Sequence, residues 1–300
     1  MINHFGDRLI NKIRLTKSFL CLGIDPHIDL IPKIFQNDKN ILRNVEKFCF
    51  SLLEVAINKV PAIKPQIAFF EQLGPEGMKL LAELCIYARA KGFLVIMDAK
   101  RGDIGSTSQA YANTFLGEKA PFPSDALTVN PWLGIDSLEP FIQKLKITGC
   151  GLFILVHTSN GGSKDIQELK IYNGMKCYEH LALMLKPIID KHKGKLGLSS
   201  IGVVSGATFK EQSISLRKFL PNAPFLIPGY GAQGASANDA SAPLVKDEIF
   251  SGLKNFGLIN ASRRILFPED SYSVNNIKEW QDVILTELDK TNNELINAKI

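Results

Sequence analysis

Residues 93–107 read FLVIMDAKRGDIGST. The apolar run Phe93 to Ile96 suits a strand buried on both faces, as in a parallel sheet. It runs directly into Asp98, Lys100, Arg101 and Asp103. Asp98 and Lys100 are two positions apart, so on a continuing strand they project to the same face. Gly102 then turns the chain into a loop that carries Asp103. Charges at the mouth of a buried strand are costly unless they line a site.

Runs of the same kind recur on either side. They are Phe19 to Ile24, Pro61 to Lys64, Ala126 to Asn130, Leu152 to His157, Ile201 to Val204, Phe225 to Pro228 and Leu258 to Ala261. Helical patterns lie between them, such as Ile41 to Asn58 and Gly77 to Ala90. Eight strand–helix alternations in 300 residues predict a (β/α)8 TIM barrel, with an open doubly wound sheet as the runner-up. No linker or repeat divides the chain, so residues 1–300 read as one domain. A helix near Phe5 to Lys12 should cap the barrel floor, and Ser273 to Ile300 should form a final amphipathic helix.

The composition is that of a globular protein with a large core: 45% hydrophobic and 22% charged. A net charge of +5 without a block of like charges gives no support to nucleic-acid or membrane binding, and it suits a small anionic substrate. The five cysteines are scattered and form no CxxC pair, which points to a reducing compartment and away from zinc. With a start unlike a signal peptide and no apolar run of membrane-spanning length, the expected location is the cytoplasm.

Barrels of this kind carry their chemistry at the C-terminal ends of the strands. The other strand ends are polar too: Asp25 in GIDPH, Lys64 in AIKPQ, His157 to Asn160, then PGYGAQGAS and NASRR. Singly, each has an ordinary reading as a turn acid, a solvated base or a surface pair. His157 taken alone reads as a packed core histidine. Their recurrence at successive strand ends points instead to one pocket lined from all sides.

DxKxxDI after the third strand, with Asp25 ending the first and Lys64 ending the second, resembles orotidine 5′-phosphate decarboxylase. MDAKRGDIGSTSQAYA, HTSNGGS and LIPGYGAQGA resemble the longer bacterial branch, type 2, of that family. The resemblance runs from about the first strand to the eighth. It implies decarboxylation of orotidine 5′-monophosphate (OMP) to uridine 5′-monophosphate (UMP) without cofactor or metal. It assigns Lys64, Asp98, Lys100 and Asp103 to a charged catalytic row, in which Lys100 protonates C6 and Asp98 faces the substrate carboxylate. It makes Asp25 and Lys64 ribose contacts, Ser159 the reader of the pyrimidine amide edge, and Gln233 with Arg263 the phosphate grip, with Arg264 as the alternative to Arg263. It further implies a homodimer in which Asp103, with Thr107 beside it, enters the neighbour's site. Many family members have Pro where Gly105 stands, so a local backbone difference is expected there. Two other readings remain. Magnesium-dependent sugar-phosphate decarboxylases and aldol-type synthases share DxKxxD but typically carry an acid where Lys64 stands. A catalytically inactive nucleotide-binding barrel is the other.

Overall fold

Eight strands close on themselves in the computed structural model, which describes residues 3–231 and 234–299. They are β1 (Leu20–Ile24), β2 (Ala62–Pro65), β3 (Leu94–Arg101), β4 (Ala126–Val129), β5 (Gly151–His157), β6 (Ile201–Ser205), β7 (Phe225–Ile227) and β8 (Gly257–Ala261). Every neighbouring pair is parallel, and β8 returns to β1 with Leu20 opposite Ile259 and Cys21 opposite Asn260. The closed barrel therefore replaces the open sheet. Closure suits these sequences because both faces of each strand are covered, which favours continuous runs of Val, Ile, Leu and Phe.

Helices such as Ile41–Ala56, Gly74–Ala90 and Cys177–Lys191 wrap the outside. The alternation fails at one place. Between β7 and β8 the described residues form only the short helix Ala237–Ser241 and a small antiparallel pair, Val245–Lys246 with Lys254–Asn255. The run Gly229 to Ala242 is too rich in Gly, Ala and Ser to carry an amphipathic helix of normal length.

The first helix spans Phe5–Thr16, a turn longer than its sequence pattern predicts, and stops at Lys17 with φ 51°. Phe5, Leu9, Ile10 and Ile13 share its buried face. Phe5 meets Phe153 edge to ring, and a side chain at Gly151 would overlap the Phe5 ring. The helix thus plugs the N-terminal end of the barrel and leaves the C-terminal end as the open mouth. The last helix, Ile277–Ile296, packs Trp280 against Phe35 and Phe48. Among the described residues no helix is long and apolar enough to cross a membrane.

Candidate active site

Polar side chains replace the apolar core at the C-terminal ends of the strands, around a cavity of about 450 Å3. Asp25, Lys64, Asp98, Lys100, Ser159 and Arg263 all line it.

Its centre is an ion triad. Lys64 Nζ lies 2.7 Å from Asp98 Oδ2, and Lys100 Nζ lies 2.6 Å from Asp98 Oδ1. The Lys64 and Asp98 side chains are only 5% and 9% exposed, whereas Lys100 is 47% exposed and reaches into the cavity. Burial by itself pushes the Asp98 carboxyl up, but the two ammonium groups beside it outweigh that and hold it well below the usual carboxylate range. Burial likewise opposes the charge on Lys64, and Asp98 with Asp25 outweighs it, so its ammonium is held above the usual lysine range. Two cations against one anion leave the triad with a net positive charge, which suits an anionic ligand.

The backbone reaches this arrangement by an unexpected route. β3 does not continue as a regular strand past Met97. Its register against β4 shifts between Met97 and Arg101, and Lys100 sits at φ 48°. A left-handed non-glycine residue costs roughly 1–2 kcal/mol. Asp98 and Lys100 meet because of this bulge and not through simple alternation, which corrects the sequence expectation at the level of mechanism while keeping the pair. Gly102 then packs on the Asn130 backbone, where an added Cβ would lie 2.8 Å from the carbonyl oxygen.

Asp25 Oδ1 is buried without a hydrogen-bond partner among the described residues, so it presents a free acceptor at the cavity. Asn260 on β8 does the same with its Oδ1. Sequence reasoning quoted Asn260 within NASRR but gave it no role; an amide inside a strand otherwise made of Gly, Leu, Ile and Ala was the available signal. Thr128 on β4 was also missed. It is buried, and its hydroxyl lies 3.0 Å from Asp98 Oδ1.

Ser159 is placed by close packing of β5 and β6. A Cβ on Gly206 would sit 2.6 Å from Ser159 Cα, and Thr208 Oγ1 donates to the Ser159 carbonyl at 3.0 Å. His157 is a core residue, as the reading of it taken alone expected. It is fully buried between the edges of Tyr178 and Phe209, with Nε2 3.3 Å from Glu168.

At β8 the two arginines separate cleanly. Arg264 turns away, with Nε 2.7 Å from Glu287, Nη2 2.7 Å from Glu294 and Nη1 donating to Tyr230 at 3.0 Å. Arg263 is exposed at the cavity and has no carboxylate partner among the described residues. Gln233 lies outside the described residues.

Asp103 and Thr107 do not join the cavity of their own chain. Asp103 Oδ1 accepts from the adjacent Ile104 N–H at 2.8 Å, and Thr107 is exposed. Gly105 has φ 51°, which proline cannot adopt, so the backbone there does differ from a chain carrying Pro. Among the described residues no three His, Cys, Asp or Glu side chains are grouped to hold a metal ion.

The family model described as "Orotidine 5'-phosphate decarboxylase / HUMPS family" matches residues 18–271, which contain every strand of the barrel and every candidate site residue. The chain belongs to this family. An orotidine 5′-phosphate decarboxylase of Rhodopirellula baltica is 38% identical over 304 residues, covering 97% of this chain and 98% of that protein. A crystal structure from Streptomyces avermitilis superposes with a TM-score of 0.80 at 33% identity, covering 98% of this chain and 97% of that one. The Leishmania donovani OMP decarboxylase structure gives a TM-score of 0.69 at 30% identity, covering 95% and 99%. The helix plugging the barrel floor and the final helix lie outside the family match; the strand ends that build the cavity fall within it.

Proposed function

We propose that the chain decarboxylates OMP to UMP and CO2, the last step of de novo UMP synthesis. On this reading it works as one domain over residues 1–300, in the cytoplasm, and belongs to the long bacterial type 2 branch of its family. The observation that carries the reading is the Lys64–Asp98–Lys100 triad with its excess positive charge, set in the same cavity as the unpaired Arg263.

The reaction breaks the bond between C6 and the carboxylate carbon. The electron pair stays on C6, in the ring plane, where it is poorly delocalised. Charge that is already in place before the step can stabilise it without reorganisation. Lys100 supplies that charge and then transfers an Nζ proton to C6, as CO2 leaves. Water returns a proton to the amine. Asp98 remains anionic because its carboxyl is held low, so it stands against the incoming carboxylate of the substrate. Two like charges 4 Å apart at an effective dielectric near 20 repel by about 4 kcal/mol, a repulsion that ends when CO2 departs. Lys64 keeps Asp98 charged and oriented. Asp25 accepts ribose hydroxyl protons with its unpartnered oxygen. Ser159 reads the pyrimidine edge, and Arg263 with Gln233 holds the phosphate.

Lys64 also disfavours the magnesium-dependent alternative, because its ammonium lies against Asp98 where those enzymes typically carry an acid. An inactive binding barrel has no use for a buried Lys64–Asp98 pair whose desolvation is costly.

The phosphate assignment has a direct test. Arg263→Ala should raise KM for OMP by about 2 kcal/mol, roughly 30-fold, the size of a charge-assisted contact. Arg264→Ala should instead lower the melting temperature, through its contacts with Glu287, Glu294 and Tyr230, and leave KM nearly unchanged. The reverse pattern would shift the phosphate grip to Arg264.

The position of Asp103 on the rim supports a homodimer in which it completes the neighbour's site. Exposed Ile104, Trp132 and Leu133, on loops that leave β3 and β4 side by side, are apolar surface for such an interface. Lys100→Ala and Asp103→Ala proteins, each nearly inactive, should recover activity when their subunits are exchanged. Random pairing leaves about a quarter of the sites intact by two-fold symmetry. Mixed dimers, confirmed with two tags, that stay at parental activity would place Asp103 in its own chain's site.

A further inference from the structure

The bulge in β3 leaves backbone groups that a regular ladder would have satisfied. Leu127 pairs with Met97 and Val129 pairs with Arg101, so Thr128 alone stands opposite Asp98, Ala99 and Lys100. Its hydroxyl serves all three residues. Oγ1 accepts the Ala99 N–H at 3.1 Å and the Lys100 N–H at 2.9 Å, and it donates to Asp98 Oδ1 at 3.0 Å. One hydroxyl has one proton and two lone pairs, so this side chain is saturated. It is also 1% exposed, which leaves water little access to replace it.

We infer that Thr128 is a positioning residue for the decarboxylation: its hydroxyl holds the left-handed turn at Lys100 and fixes Asp98, so that the ammonium and the carboxylate face the reacting carbon together. This inference rests on the function proposed above. The Lys100 backbone at φ 48° is a conformation that a lysine does not choose by itself, and the N–H of that same residue is the one bound most closely by Thr128. Without the hydroxyl the peptide groups of residues 99 and 100 lose their acceptor, and the turn is free to relax toward ordinary strand geometry. Lys100 then points elsewhere. The phosphate, ribose and pyrimidine contacts lie at the ends of other strands and keep their places.

The test compares Thr128→Val, which keeps the shape and removes the hydroxyl, with Thr128→Ser, which keeps the hydroxyl. Steady-state kinetics with OMP and calorimetric titration with UMP are run on the same preparations. Thr128→Val should lose about 30-fold or more in kcat while UMP affinity stays within about threefold, since misaimed catalytic groups weaken the transition state and not the grip. Thr128→Ser should recover most of the lost kcat. Should Thr128→Val not fold, Thr128→Cys is read by the same criteria, because its thiol is a weak donor and acceptor. If wild type is active and the hydroxyl-free variant keeps kcat within threefold, the role of Thr128 is overturned and the function stands. It is also overturned if kcat and UMP affinity fall together and Ser does not restore them, which marks a structural contribution only. A wild type that binds UMP but leaves OMP unchanged overturns the function and this inference with it.

Discussion

Lys100→Ala should lower turnover of OMP by about four orders of magnitude or more and leave UMP binding largely intact. The size follows from losing two effects at once, the proton donor and the positive charge placed where C6 becomes negative. The retained binding follows from geometry. Arg263, Asp25 and Ser159 follow the ends of other strands and do not depend on Lys100 for their positions. Folding should also survive. The Lys100 side chain is 47% exposed, and after its removal Asp98 keeps Lys64 at 2.7 Å and Thr128 at 3.0 Å. Single-turnover kinetics, UMP calorimetry and a thermal melt on one preparation check all three statements. Retention of more than a few per cent of wild-type activity would remove Lys100 from the role of proton donor.

Lys64→Met acts on the same triad with the opposite balance, costing stability as well as activity. Its ammonium is buried against a buried carboxylate, and breaking such a pair from one side costs about 3–5 kcal/mol. The pH dependence fixes the cause. In the wild type the Asp98 carboxyl is held below its unfolded value near 3.9, so its stabilisation is present above that pH and is lost as pH falls through the folded value. Lys64 is held above its unfolded value near 10.4, so its contribution is present below that pH and is lost as pH rises through the folded value. The pair therefore supports the fold across the whole neutral range. In Lys64→Met, burial acts on Asp98 with one ammonium fewer to oppose it, and its carboxyl rises. The stability deficit should then hold steady through the neutral range and narrow as the solution is acidified through that raised value. Denaturant unfolding across a series of acidic pH values measures this. A deficit under about 1 kcal/mol at pH 7, or one that widens on acidification, contradicts a buried pair held by Lys64.

Much of this site was legible in the sequence because a parallel barrel makes strand ends easy to locate. The apolar runs stop where the polar residues begin, and Asp25, Lys64, Asp98, Lys100, Ser159 and Arg263 all fall at such stops and all reach one cavity. What stayed hidden depends on contacts between strands. The bulge at Lys100 arises from β3 and β4 together and leaves no local mark, since no glycine stands at the left-handed position. Thr128 reads as an ordinary β-branched strand residue, and only the register shows that its hydroxyl faces three residues of β3. That Arg264 turns away from the cavity depends on Glu287 and Glu294, which lie on the last helix and leave no mark in the sequence around Arg263 and Arg264. The passage from β7 to β8 departs from the eight-fold strand–helix alternation for a simpler reason: a barrel pattern invites a helix there, while the Gly- and Ser-rich sequence of residues 229–242 favours a loop.

The central claim is that a preorganised row of charged side chains performs this decarboxylation without a metal ion. The most direct measurement follows UMP formation and CO2 release when purified wild-type protein meets OMP, with and without EDTA in excess. The account predicts one UMP and one CO2 for each OMP consumed, at a rate that EDTA does not change. OMP that remains unconverted, or conversion that stops with EDTA and resumes on adding magnesium, would contradict it.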